Sequence, residues 1–472
     1  MKKNILYIIH SWIDFRNVQR TSIGGTTLHA YDLLNNTLDK NNYFILSVSD
    51  NKYILTIYAN NKVNVYNLGI TCKGYFFDYY DAEYNIMLKK IIGMLSIDIV
   101  HIHHLRGHAL DIYNVIKETE VFSILTIHDY FIICPQINLL YKSDNYCTKK
   151  TRSIDCKNCI KVNNPHDLKL KERNFVVNGL FEEIDKIIIP NISIKDEIMK
   201  TYDSFSAVTI EHGITIQKTD NEIKINKDKF NVAFVGVLEI LKGSQLAKEL
   251  VNVTNSDENI VYHFFGTTSI EELKINKHNY FYHGEYMRQD LPMLLKEYEI
   301  NLVCLLTKCP ETYCYTLSEV IYSGVPVLGI DLGAIGERIK RLGCGWTINH
   351  KATANNLLNK INQIKNNESQ YYEVLGKIKK IVLDDVYEMV RKTVDIYDLS
   401  NNSTKKIIFK YGKLIRKNFK YSVEVKEETK IKKIIKRLNK YKNKVIYLIK
   451  RPIYLFYIFT KKIIKKIIKM EG

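Results

Sequence analysis

Short apolar runs alternate with amphipathic stretches along the first 350 residues of the chain. Runs at 4–9, 43–48, 98–103, 121–127 and 186–189 have the length and apolar content of buried strands. Residues 26–35 and 108–118 between them carry helical spacing. A second series of strands falls at 231–236, 260–265, 280–283, 301–306 and 325–330. Such alternation predicts parallel sheets wound by helices, an α/β class. The stretch 214–229 is charged and lacks an apolar face, so it reads as a linker between two sheet-forming halves of similar size. One connection between two such halves implies a cleft. Residues 352–400 read as helical throughout; they finish the second half and are placed to cross back toward the first.

Beyond residue 400 the pattern changes. Paired Ile and paired Lys recur, as in Ile463-Ile464-Lys465-Lys466-Ile467-Ile468, and Tyr454–Phe459 forms an aromatic apolar run. This spacing predicts basic amphipathic helices, which favour anionic bilayer surfaces. A solvated tail and a nucleic-acid arm are the alternatives, and the apolar content counts against the latter.

Charge sharpens this division. The chain has 472 residues and a formal net charge of +18. Residues 401–472 hold 23 of the 69 Lys and Arg but 4 of the 51 Asp and Glu, which leaves the body close to neutral. A nucleic-acid protein read from overall basicity is thereby disfavoured. The first apolar run is too short for a secretory signal, and no uninterrupted apolar stretch reaches about 20 residues. A cytoplasmic location is expected. The nine cysteines then lean toward metal rather than disulfides. Cys134, Cys147, Cys156 and Cys159 end in a C-x2-C pair with the bite of a structural zinc site. Buried free thiols are the other reading.

Candidate chemistry sits where strands end, because ligands of doubly wound sheets bind beyond the carboxyl ends of strands. Glu311 lies in a loop after the strand 301–307, and Glu319 lies in the helix this loop opens. Carboxylates in that position accept hydrogen bonds from hydroxyls, so a sugar or ribose is the expected ligand. Gly24 and Gly25 precede a helix at Thr26; they are a close-approach loop or a simple turn with a threonine cap. His103 and His104 end one strand, and His128 ends the next. His101 reads as a buried structural residue and Asp129 as a cap. Gly236, Lys242 and Gly243 form a strand, loop and helix start where a cation and free N–H groups meet a diphosphate. Lys242 as an ordinary surface lysine stays open. Gly266 and the run His283-Gly284-Glu285 repeat the pattern of strand end and small residue.

In their order, these pieces resemble a GT-B glycosyltransferase of the retaining family 4 type (glycosyl transferases group 1). The E-x7-E pair of Glu311 and Glu319 is the most specific element, and the resemblance covers about residues 1–390. It implies two Rossmann-like, doubly wound domains facing a cleft: 1–220 on the acceptor side, with a cysteine-rich insertion at 134–160, and 221–400 on the donor side. The basic helical tail 401–472 follows. By resemblance, Glu311 contacts the donor sugar, Glu319 holds the ribose, and Lys242 binds the diphosphate. Gly24, Gly25, Gly236, Gly243, Gly266, Thr316 and Leu317 line the donor, His128 sits beside the reacting sugar, and His103 and His104 face the acceptor. No metal is implied for the chemistry. Val237 stands where the family usually has Arg; either Lys242 alone suffices for the phosphate or another basic residue, such as Arg288, substitutes. The expected function is retaining sugar transfer from a nucleotide-sugar to a saccharide or lipid-linked acceptor in cell-surface polysaccharide synthesis. The expected setting is the inner face of the cell membrane, bound through residues 404–472. An epimerase on the same fold, or a non-catalytic binding protein, are the alternatives.

Overall fold

The computed structural model describes residues 2–12, 14–15, 24–59, 62–72, 79–141, 145–148, 156, 159, 169–219, 223–226, 228–254 and 259–402. The basic tail predicted beyond residue 402 lies outside them.

The first lobe is built on an eight-stranded sheet. Its strands are β1 (Lys3–Ile8), β2 (Asn41–Ser49), β3 (Lys52–Ala59), β4 (Lys62–Thr71), β5 (Ile99–Ile102), β6 (Phe122–Thr126), β9 (Lys186–Ile189) and β10 (Val208–Thr209), in the order β10-β9-β6-β5-β1-β2-β3-β4. A separate small hairpin is formed by β7 (Leu140–Tyr141) and β8 (Asn145–Tyr146). Period two along β1 sets the layers. Leu6 and Ile8 enter a core with α2 (Ala82–Met94), α3 (Tyr113–Thr119) and α4 (Leu170–Glu183), while Ile5 and Tyr7 pack on the other face against α1 (Gly25–Asn35). The helix expected at 108–118 starts later, at Tyr113, after a 3-10 turn at Leu110–Ile112.

One part of the sheet departs from the parallel expectation. β2, β3 and β4 run antiparallel at one edge. Asp50 and Asn51 have φ of 49° and 57°, the left-handed pair that a two-residue hairpin turn needs. That turn, rather than a crossover helix, follows β2.

The second lobe holds six parallel strands in the order β13-β12-β11-β14-β15-β16: β11 (Phe230–Val237), β12 (Ile260–Thr267), β13 (Tyr280–Gly284), β14 (Leu302–Leu305), β15 (Val327–Ile330) and β16 (Gly345–Ile348). Its helices include α5 (Ser244–Val253), α6 (Leu291–Glu297), α7 (Tyr315–Tyr322) and α8 (Gly333–Leu342). Strand order reverses at β11 and β14 here, and at β1 and β5 in the first lobe. Each reversal opens a crevice past the strand ends.

The expected linker is anchored to the second lobe. Thr219 N–H donates to Tyr322 O at 2.9 Å, and Lys218 Nζ donates to Ile381 O at 2.6 Å. After α9 (Ala354–Asn366) and α10 (Glu368–Lys380), helix α11 (Val386–Asp398) returns to the first lobe. Asp385 caps it by accepting from Glu388 N–H. Met389, Val390, Ile396 and Tyr397 then join the β1 core, and the Tyr397 hydroxyl reaches Tyr7 at 3.2 Å and His101 at 2.8 Å. The two lobes thus belong to one compact unit.

Candidate functional site

The residues beyond β11 and β14 build the second lobe's crevice. Gly243 turns there with φ +85°, and a Cβ on it would fall 1.9 Å from Leu306 O. Only glycine lets the loop carrying Lys242 lie on the end of β14. Lys242 is half-buried and ion-paired with Glu311. Burial opposes its charge, but the Glu311 carboxylate outweighs burial and raises the Lys242 pKa.

Glu319, in the second turn of α7, is 6% exposed. Arg288 Nε lies 3.5 Å from its Oε1, and the Arg288 guanidinium also lies 5.5 Å from the Tyr315 ring centroid. Burial pushes the Glu319 carboxyl pKa up, and Arg288 opposes it. The two acids therefore sit on one strand edge, each with its own cation. Val237 is exposed at the end of β11. Arg288, one of the two answers the sequence leaves open for the missing Arg, lies beside Glu319.

The turn between the acids is rigidly held. Cys314 has φ +69°, a costly conformation for a residue with a Cβ. Arg338, fully buried in α8, donates to Tyr313 O at 3.0 Å, Cys314 O at 3.2 Å and Ser318 Oγ at 2.8 Å. Gly333 supports the turn from the other side, and Ala334 N–H donates to Glu311 O at 2.8 Å. Nothing in the sequence pattern singled out Arg338; an arginine in an amphipathic helix ordinarily points to water.

This same turn faces the first lobe. Thr312 Oγ1 donates to His128 O at 2.6 Å, and Tyr313 OH donates to His212 O at 2.6 Å. The Tyr315 ring stacks on His212 at 5.3 Å and 14°. A Cβ on Gly25 would lie 3.3 Å from that ring, so the Gly24-Gly25 loop opens α1 directly opposite the start of α7. Thr316, in the first turn of α7, would lie 3.5 Å from a Cβ on Gly236, and Leu317 is buried behind it.

The histidines divide by role. His101 bonds Thr126 Oγ1 at 2.7 Å and Tyr397 OH, and so serves the core. His104 bonds Asp129 Oδ2 at 2.7 Å, and Asp129 also accepts from Phe131 N–H, tying down the turn after β6. His103 Nδ1 lies 3.3 Å from His128 Nε2. Burial holds His128 well below the usual imidazole range, with His29 and His212 reinforcing it. His29 and His212 were not singled out in the sequence, because each stands alone in its segment.

Gly266 lies one strand away, paired with Gly236, and a Cβ on it would fall 1.8 Å from Gly236 O. Strand contact is thus sufficient reason for a glycine there. Cys134, Cys147, Cys156 and Cys159 are not in disulfides; Cys156 and Cys159 are helical and Cys159 is buried. Among the described residues, the group of three or more His, Cys, Asp or Glu gathered closely enough for a metal ion is His29, His103 and His128.

The lobe carrying Lys242, Arg288, Glu311 and Glu319 also has a sequence relation. Residues 215–381 match the family of glycosyl transferases group 1. No curated protein matches the chain in sequence. Solved structures similar in fold include HepE of Anabaena in complex with UDP, at 13% identity over 84% of this chain and 100% of that chain, TM-score 0.55. Sucrose-phosphate synthase of Thermosynechococcus elongatus is similar at 11% identity over 85% and 100%, TM-score 0.53. The lipopolysaccharide outer core galactosyltransferase WaaB, in its apo form, is similar at 12% over 84% and 99%, TM-score 0.54. At these identities the likeness establishes the fold, which is GT-B. With the family match over residues 215–381 of the second lobe, the chain is a glycosyltransferase.

Proposed function

We propose that this glycosyltransferase moves a sugar, with retention, from a nucleoside-diphosphate sugar to a saccharide or lipid-linked acceptor in cell-surface polysaccharide synthesis. The observation that carries the reading is the pair of carboxylate–cation contacts, Lys242–Glu311 and Arg288–Glu319, on one strand edge facing Gly25 and His128. A donor sugar offers what such pairs exchange for: hydroxyls for the carboxylates and phosphates for the cations. Glu311 takes hydroxyls of the sugar and Glu319 those of the ribose. Lys242 and Arg288, with N–H groups at the start of α7, stabilise the departing diphosphate as its charge grows. Neutral His128 sits beside the reacting sugar. The HepE structures, solved with UDP and with UDP-glucose, favour a uridine nucleotide as the first donor to test.

Titration calorimetry with UDP and UDP-sugars tests the site. Binding by the wild type, weakened at least about 10-fold in Lys242→Ala and in Glu319→Gln, is expected from the loss of a charge-assisted contact. Undiminished binding in both variants would overturn the assignment. The anomeric coupling of the product, read by NMR, tests retention.

Two further parts belong to this proposal. Cys134, Cys147, Cys156 and Cys159, with their terminal C-x2-C pair, are the candidate ligands of a structural zinc ion, to be tested by metal analysis of the purified chain. The tail 404–472 holds the cytoplasmic enzyme on the inner face of the membrane. Among the described residues no helix is long and apolar enough to cross a membrane.

A further inference from the structure

The histidines of the first lobe converge beyond what donor binding uses. His29 comes from α1, His103 from the end of β5 and His128 from the end of β6, and one ring nitrogen of each lies within 4.8 Å of the other two. His29 and His103 are each 1% exposed. His29 Nδ1 and His103 Nε2 have no hydrogen-bond partner among the described residues. A hydrogen bond between His103 Nδ1 and His128 Nε2 accounts for one edge of the cluster. Of the two unsatisfied atoms, which are costly to bury, a cation held at that edge bears on His29 Nδ1 and not on His103 Nε2, because one imidazole gives a single metal only one nitrogen.

The 3.3 Å edge itself has a second meaning. In a tetrahedral zinc site with Zn–N distances of about 2.0–2.1 Å, adjacent nitrogens lie about 3.3 Å apart. We propose that His29, His103 and His128 form a binding site for a divalent first-row transition cation, zinc above all, distinct from the cysteine quartet. Three imidazoles and no carboxylate suit zinc, cobalt, nickel or copper and disfavour magnesium and calcium. Three protein ligands leave a fourth position for water or a substrate oxygen. A cation bound here occupies a lone pair of His128. Metal occupancy and any contact of that atom with the reacting sugar therefore exclude each other, and zinc acts as an inhibitor.

The site does not depend on the donor assignment, and its test reads metal directly. The full chain, the Cys156→Ser/Cys159→Ser double variant, and that variant with His29→Gln added are each titrated with zinc chloride. The double variant retains one zinc equivalent. Adding His29→Gln weakens that equivalent by more than about 100-fold, since loss of an outer partner alone costs 10–100-fold. X-ray absorption of the zinc-loaded double variant shows nitrogen neighbours near about 2.0 Å and no sulfur shell near about 2.3 Å. This measurement stands even where a histidine variant fails to fold. Equal zinc uptake with and without His29→Gln, a sulfur shell in the double variant, or no zinc bound by it, would each overturn the proposal.

Discussion

Lys242 and Arg288 carry the consequences of the site at the scale of single residues. Lys242 faces Glu311, which resemblance assigns to the donor sugar, whereas Arg288 faces Glu319, assigned to the ribose. On the proposed function, removing Lys242 withdraws a cation from the developing charge of the leaving group. Lys242→Ala is expected to lower kcat by about 100-fold or more, measured by donor turnover. Arg288→Lys keeps a charge but loses the planar guanidinium that spans Glu319 and the Tyr315 ring. It should raise the donor KM more than it lowers kcat.

Two buried histidines away from the cleft set a pH dependence. Burial lowers His108 to about 3 and His263 to about 3. Their folded-state pKa values lie below the unfolded value of about 6.5. The unfolded chain therefore binds more protons between the two values, and stability is lost as pH falls. Each contributes up to about 1.4 kcal/mol per pH unit below pH 6.5. The urea midpoint should drop steeply from pH 6.5 to pH 5 and stay nearly flat from pH 7 to pH 8. A flat midpoint down to pH 5 would contradict this burial.

The decisive element is the turn from Glu311 into α7. Its αL residue Cys314, the Arg338 guanidinium beneath it and the Gly333 contact fix where both acids point. Arg338→Met leaves the carbonyls of Tyr313 and Cys314 without their donor. A loss of about 3 kcal/mol is expected in denaturant melts, since buried groups lose charged partners, together with weaker donor binding at temperatures where the fold survives. Helix α11 is the second element of consequence. Asp385→Ala removes its cap and should cost about 1 kcal/mol. It loosens a helix whose far end, through Tyr397, holds Tyr7 and His101 in the other lobe.

For the whole molecule, the two lobes meet through the turn 312–315 on one side and α11 on the other. The turn that carries Glu311 thus contacts the first lobe through Thr312, Tyr313 and Tyr315. The charge division of the sequence makes a separate prediction. A chain ending at Leu399 should lose sedimentation with phosphatidylserine vesicles while keeping the wild-type affinity for the donor. Retained sedimentation would place membrane attachment elsewhere.

Apolar periodicity was enough to fix the class of structure, the position of most parallel strands and the strand ends where Glu311, Glu319, Lys242 and His128 lie. Burial of a strand between two helical layers leaves a local signature, and ligand crevices follow from strand order. Other features were invisible along the chain because their cause is not local. The antiparallel edge β3–β4 rests on a two-residue turn that composition barely marks. His29, His103, His128 and His212 come from four separate segments, and Arg338 is far in sequence from most of the turn it supports. Only the closing of both sheets, with α11 crossing back, brings these groups together, because burial and hydrogen bonding between distant segments are settled when the whole chain packs.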